Sequence, residues 1–447
     1  MKSMNVDPFV ARFKIWIRTL WENKFLRYGL LINFSYLLVS YILFFTLYGN
    51  SVDFRIFYTS AKVLLNQPEN LYVESNYLWG FRYLPLSTLL FIPLSFLNFH
   101  SAYIIFNLLN FFINIFISVI LFRIISIIKE KSHEKNEKRV FLYISLYLMG
   151  APHILNYIYG QVNLFVTLFI LLAIYHYLKN NTMKGQILPS LLVGLSILIK
   201  LTAVFLIPFL LIINLNLKKK SLNFKLYKSL TRIFFALIPI FLNFILFFIY
   251  PKMWSDFLDI SLSSLFPFNF TPNFSMSLTK NLMNFFYYFN IPYNQFLLIL
   301  IITGLIGGSG FLLYILRSKE DETAIVFGFC IGLLIMFLSY YETWDHTLLN
   351  LIPLLIVIIF ILPRHSLISR NFIKPGFFFF NFFSIAFTGI WFLTYQIFPY
   401  NFLPIIAFLI LFYGLFRYLL FDNKNEFIED SEKYVTLSNQ RAGGVEI

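Results

Sequence analysis

The chain has 447 residues, 59% hydrophobic and only 13% charged, with a formal charge of +14 and a single cysteine. So little charge, with long apolar runs, excludes an ordinary water-soluble fold. Cys330 alone excludes intrachain disulfides and thiolate metal clusters, and basic residues scattered in short loops beside apolar runs fit membrane orientation rather than nucleic-acid binding.

Residues 1–27 are basic (Lys2, Arg12, Lys14, Arg18, Lys24) and show no small-residue cleavage site before the first apolar run. This is a signal-anchor pattern that places the N-terminus in the cytoplasm. The first predicted span is 28–48. The outer loop 49–83 follows, with Asp53, Arg55 and Arg82 among its charges. A carboxylate at the rim of a span needs water, a partner or a substrate. Asp53 is therefore either a solvated cap or a catalytic base at the membrane surface. Residues 85–99 hold Pro85 and Pro93 and are too short to cross. Residues 101–122 are long enough. The next loop, 123–139, carries Arg123, Lys129, Lys131, Lys135, Lys138 and Arg139 and belongs inside. One crossing fits between these loops, so 85–99 reads as a re-entrant or interface-lying helix.

Spans 140–157 and 161–178 enclose an outer turn, 153–163. The stretch 187–215 has basic flanks at both ends. It reads as a hairpin of two short helices with Lys200 near the apex. The alternative is one tilted helix with a snorkelling lysine. Span 233–250 leads to a long outer loop, 251–296. Spans 297–316, 323–340, 347–362, 377–395 and 403–420 follow. Their loops alternate: 317–322 inside, 340–347 outside, 363–374 inside and 396–401 outside. The polar tail 422–447 is cytoplasmic. The expected fold is an all-α polytopic membrane protein with about 12 transmembrane helices plus the re-entrant or interfacial helix. Residues 28–421 form its single transmembrane domain, in the cell membrane with both termini cytoplasmic.

Polar side chains gather on the outer side: Asp53 and Arg55, Arg82, then His153, Tyr159, Gln161 and Asn163, then Lys200, and finally Glu342, Asp345 and His346. Helix packing can bring these segments together into a cavity that opens outward. An arginine fork or a lysine point charge suits a phosphate, so Arg55, Arg82 and Lys200 are candidates for donor or acceptor binding, with His346. His153, Tyr159, Gln161, Asn163, Glu342 and Asp345 are further cavity candidates. No HExxH, Walker, Rossmann or GxSxG pattern is present in the sequence. Neither a metal nor a cofactor is expected, and a transferase built this way would take its donor from lipid.

Five pieces resemble glycosyltransferase family 87, in that family's order: VDFRIFYTSAKVLLN (52–66), FRYLPLSTLLFIPLS (81–95), YGQVNLFVTLFILLA (159–173), LLVGLSILIKLTAVFLIPFLL (191–211) and SYYETWDHTLLNLIPLLI (339–356). The resemblance implies the large membrane transferase architecture called GT-C. It implies transfer of a sugar, mannose above all, from a polyprenyl- or dolichyl-phosphate donor to a membrane glycolipid or glycan acceptor, with inversion and no nucleic acid involved. It also implies that Asp53 is the general base and points to His346. Two departures stand out. The family's YPPL reads Tyr83-Leu84-Pro85-Leu86 here, and its paired histidines read Asp345-His346, which leaves room for a different donor subtype. Rival readings are a transferase of another lipid-borne sugar, such as arabinofuranose or glucose, and a lipid or sugar transporter or flippase.

Overall fold

The structure is a computed structural model that describes residues 22–77, 79–132, 137–180, 182–216, 221–265, 273–317, 323–394 and 402–420. Expectations for the N-terminal segment before residue 22, most of loop 317–322, loop 396–401 and the tail fall outside the described residues, as do parts of loops 123–139 and 251–296.

Asn23 opens the first helix. Its side chain accepts from the N–H groups of Phe25 and Leu26 at 3.1 and 3.3 Å, as an N-cap does. This helix, α1 (Lys24–Leu43), ends in one π-type turn, Phe44–Tyr48. A bend at 49–53 leads into α2 (Phe54–Asn66), an amphipathic helix inside the expected outer loop. Pro85–Ser95 is a short helical segment, as expected for a piece unable to span. Its Leu86 N–H donates to Asn243 at 2.8 Å.

The long α3 (Phe99–Ser132) follows, then α4 (Glu137–Leu148) and α5 (Pro152–Tyr159), which meet at a 44° bend. Next come α6 (Asn163–Lys179) and α7 (Ile187–Ile199). The helix breaks at Lys200, whose backbone is extended, and resumes as the 3-10 segment Leu201–Leu210. A break at Lys200 is what the two-helix reading of 187–215 requires. Ile213–Asn216 (β1) and Ser221–Phe224 (β2) then pair antiparallel, with Ile213 opposite Phe224.

The remaining helices are α8 (Leu226–Phe241), α9 (Asn243–Ile249), α10 (Pro251–Leu265), α11 (Leu278–Tyr288), α12 (Gln295–Arg317), α13 (Ala324–Ser339), α14 (Ile352–Ile361), α15 (Lys374–Phe382), α16 (Ser384–Thr394) and α17 (Leu403–Leu420). The stretch read as outer loop 251–296 therefore contains two helices.

Among the described residues, five helices are long and apolar enough to cross a membrane, and two bent pairs bring the number to seven. The other expected crossings fall on apolar helices of 10–17 residues. At about 1.5 Å per residue these rise less than the roughly 30 Å of a bilayer core. Two of them, α13 and α14, make the interior of the bundle: Ile325–Ser339 and Ile352–Phe360 are buried throughout. By contrast α1 and α12 leave Phe25, Leu31, Leu300 and Leu305 exposed. Apolar composition thus has two causes here, lipid contact and burial in protein, and hydropathy does not separate them.

Candidate active site

Asp53 stands at the N-cap position of α2, yet its backbone is helical and its side chain caps no N–H group. Aspartate at this position ordinarily spends its oxygen on the helix's own N–H groups. Here the carboxylate, half-buried, accepts a hydrogen bond from the Gln161 side-chain amide.

A stripe of distant asparagines and one adjacent glycine bring Gln161 there. Asn107 and Asn110, one turn apart on α3, donate to the backbone carbonyls of Tyr157 (2.9 Å) and Gln161 (3.3 Å) and hold the turn after α5. Asn114 continues the stripe, donating to the Tyr157 hydroxyl at 2.8 Å. Gly160 occupies the left-handed region at φ 62°, and a Cβ there would lie 2.6 Å from Phe54 Cβ. Glycine alone lets this turn press against the first residue of α2.

A chain of amides continues inward. Asn156 donates to the Gln161 carbonyl (3.4 Å), Asn163 donates to Asn156 (3.2 Å), and Lys200 Nζ donates to Asn163 Oδ1 (2.7 Å). Lys200 also lies within electrostatic reach of Asp53. Burial pushes the Asp53 carboxyl from 3.8 up to about 6, while the Gln161 bond and Lys200 pull it down and Glu342 pushes it further up.

The C-terminal half supplies the opposite wall. Met276 N–H donates to the Thr343 carbonyl at 2.9 Å, and Thr343 N–H donates to Ser275 at 3.0 Å. This pairing lays residues 275–281 along 339–343. It brings buried Lys280 under the influence of Glu342. Burial lowers the Lys280 ammonium to about 8, and Glu342 acts against that shift. Glu342 also forms an ion pair with Arg82 at 3.2 Å, at the exposed rim. Thr167 of α6 donates to Asn350 at 2.9 Å and so fixes the 3-10 turn Asp345–Asn350. That turn carries two buried groups. Asp345 accepts from Thr388 of α16, and the His346 ring lies 6.1 Å from the Tyr159 ring.

The structure therefore brings together Asp53, Gln161, Asn163, Lys200, Tyr159, Glu342, Arg82, Asp345 and His346. It does not bring His153 or Arg55 into that group. His153 is buried in a separate network: Nε2 faces the Tyr147 carbonyl at 3.0 Å and must donate, so Nδ1 accepts from Asn114 at 3.2 Å. Both ring nitrogens are spent on holding α5 against α3 and α4. Arg55 points away from the site and is exposed, because two residues of helix separate its direction from that of Asp53. Sequence reasoning passed over Lys280. A lone lysine among the polar residues of a loop carries no local sign of burial.

Among the described residues, no group of three or more His, Cys, Asp or Glu side chains is arranged to hold a metal ion.

A multi-pass helical bundle with a half-buried acid, facing cations and a row of amides at one end is built as a membrane-embedded enzyme. The chain belongs to glycosyltransferase family 87, whose family model matches residues 81–339, more than half of the chain. It is a membrane glycosyltransferase. The matched region takes in Arg82, Gln161 and Lys200 but neither Asp53 nor the 342–346 turn. No curated protein and no solved structure matches the chain.

Proposed function

We propose that the protein transfers mannose, with inversion, from a polyprenyl- or dolichyl-phosphate carrier to a glycolipid or glycan acceptor at the outer face of the cell membrane. The frame for this is a GT-C-type bundle formed by residues 28–421, with both termini cytoplasmic.

The observation that carries the proposal is the Asp53 carboxylate. It is withheld from capping its own helix, held by Gln161, and raised to about 6 by burial. A general base works best with a pKa near the operating pH. In the reaction, Asp53 takes the proton of an acceptor hydroxyl. That oxygen bonds to the anomeric carbon while the bond from that carbon to the phosphate oxygen breaks. The lipid phosphate leaves with the electron pair as a weakly basic anion, so it needs no proton from a second acid. Lys200, Arg82 and Lys280 supply positive charge where negative charge gathers on the leaving group. Glu342, paired with Arg82, holds that cation at the rim until the phosphate arrives.

The test is transfer by the purified protein in lipid from a panel of radiolabelled polyprenyl-phosphate sugars to membrane acceptors. Asp53→Asn is run alongside. Transfer from the mannose donor that is lost in the variant, with donor binding retained, is the expected result. Normal turnover by the folded variant removes Asp53 from the base role. Transfer from a different sugar replaces mannose and leaves the base in place.

A further inference from the structure

Three side chains of the candidate site are more than nine-tenths buried, and each keeps one polar atom without a hydrogen-bond partner: Gln161 Oε1, beside Asp53, and Asp345 Oδ1 and His346 Nδ1, beyond Tyr159. An unsatisfied buried polar atom is costly, because it has given up its hydrogen bonds to water. Three of them from segments that meet at one end of the bundle are a place that something polar completes.

In two of them the other polar atom is already committed, which fixes how the free one is presented. Gln161 gives its amide N–H to Asp53, so its oxygen is the free atom. Thr388 donates to one oxygen of Asp345, so the second oxygen is the free one. Tyr159 joins the group. It is half-buried, its ring is 6.1 Å from that of His346, and its hydroxyl is within electrostatic reach of both Asp53 and Asp345.

The chemistry of these atoms selects the ligand. The Gln161 amide oxygen only accepts hydrogen bonds, while the Asp345 carboxyl, which burial raises to about 7, accepts when ionised and donates when protonated. They call for a ligand that presents several O–H groups. A phosphate presents only acceptor oxygens and leaves Gln161 Oε1 without a donor. We propose that Gln161, Asp345 and His346 form the subsite for the hydroxyl groups of the transferred sugar, with Asp345 the residue that sets which sugar is accepted. This rests on the lipid-donor reading above and assigns His346 to the sugar rather than to the phosphate.

The experiment measures binding of two probes, polyprenyl-phosphate mannose and bare polyprenyl phosphate, to the full chain in lipid nanodiscs. Wild type, Asp345→Asn and Thr388→Val are compared. Asp345→Asn keeps the shape and turns an N–H group rather than an acceptor toward the sugar. Wild type is expected to bind the sugar-bearing lipid more tightly than the bare one. Asp345→Asn is expected to lose up to about tenfold of that preference, the scale of one hydrogen bond, with affinity for the bare lipid unchanged. Thr388→Val lets the carboxylate swing and should lose part of the same preference, and it carries the test should Asp345→Asn fail to fold.

An unaltered preference in the folded variants overturns the proposal. So does an equal loss of affinity for both lipids, which would mark a phosphate subsite. Binding of both lipids by wild type without preference overturns the subsite alone. Binding of neither overturns the subsite together with the lipid-donor reading.

Discussion

Lowering the pH from 7 to 5 should cut kcat/KM for the donor about tenfold, because that ratio reports the free enzyme's base. The base acts only when ionised, and Asp53 is raised to about 6. Its ionised fraction then falls from roughly nine-tenths at pH 7 to one-tenth at pH 5, where an ordinary carboxylate near 3.9 would lose under a tenth. The structure names what holds the value at that level. Burial raises it, the Gln161 hydrogen bond and Lys200 lower it, and Glu342 raises it. Gln161→Leu removes a bond to the charged form worth about 1.5–3 kcal/mol, so the acid limb should move up by about one unit or more. Lys200→Met should move it the same way.

The stability sign is opposite to that of a salt-bridged acid. Because the folded-state value is raised, this group's contribution to stability falls as pH rises from near 4 toward about 6, and acid does not unfold the chain through Asp53. Inactivation at pH 5 should therefore reverse on return to pH 7. The assay is the pH profile of kcat/KM for wild type, Gln161→Leu and Lys200→Met. An acid limb near pH 4 in wild type, or one at the same pH in all three, would refute the reasoning.

Gly160→Ala should lower the unfolding temperature and turnover together. A left-handed residue other than glycine costs roughly 1–2 kcal/mol, and the new Cβ would stand 2.6 Å from Phe54 Cβ. Unchanged thermal unfolding would show that the turn can shift freely. Arg82→Ala removes an ion pair whose side chains are 43% and 33% exposed, worth about 0–1 kcal/mol. It should leave stability nearly unchanged while raising KM for the polyprenyl-phosphate donor. A drop in unfolding temperature at constant KM would reverse that assignment. Ser132→Cys, at the end of α3 in the basic stretch 123–139, should resist an impermeant thiol reagent in intact cells and react after permeabilisation. The native Cys330 is buried and adds little background. Labelling of intact cells would invert the topology.

The chain by itself gave away its membrane character and the break at Lys200, and it drew attention to Asp53; the helices Phe54–Asn66, Pro251–Leu265 and Leu278–Tyr288 read as parts of outer loops. The first three readings follow from local signals: runs of apolar residues, basic loops, and a carboxylate or lysine placed where oil surrounds it. The same signals could not tell a lipid-facing span from a short helix enclosed in protein, because both are uniformly apolar. α13 and α14 therefore read as ordinary crossings. Nor could they separate His153 from His346, two histidines in polar turns of similar composition.

The tertiary structure decided which polar groups meet. The Gln161 amide reaches Asp53 across 108 positions of sequence, and Arg82 reaches Glu342 across 260. Such pairings depend on a turn tight enough to need glycine, on asparagines spaced one helical turn apart on α3, and on backbone bonds between residues 276 and 343. The buried Lys280 and the unpartnered atoms of Gln161, Asp345 and His346 exist as features only once those packings are in place. Burial and hydrogen-bond satisfaction are properties of a residue's surroundings, and residues far away in the chain supply most of those surroundings.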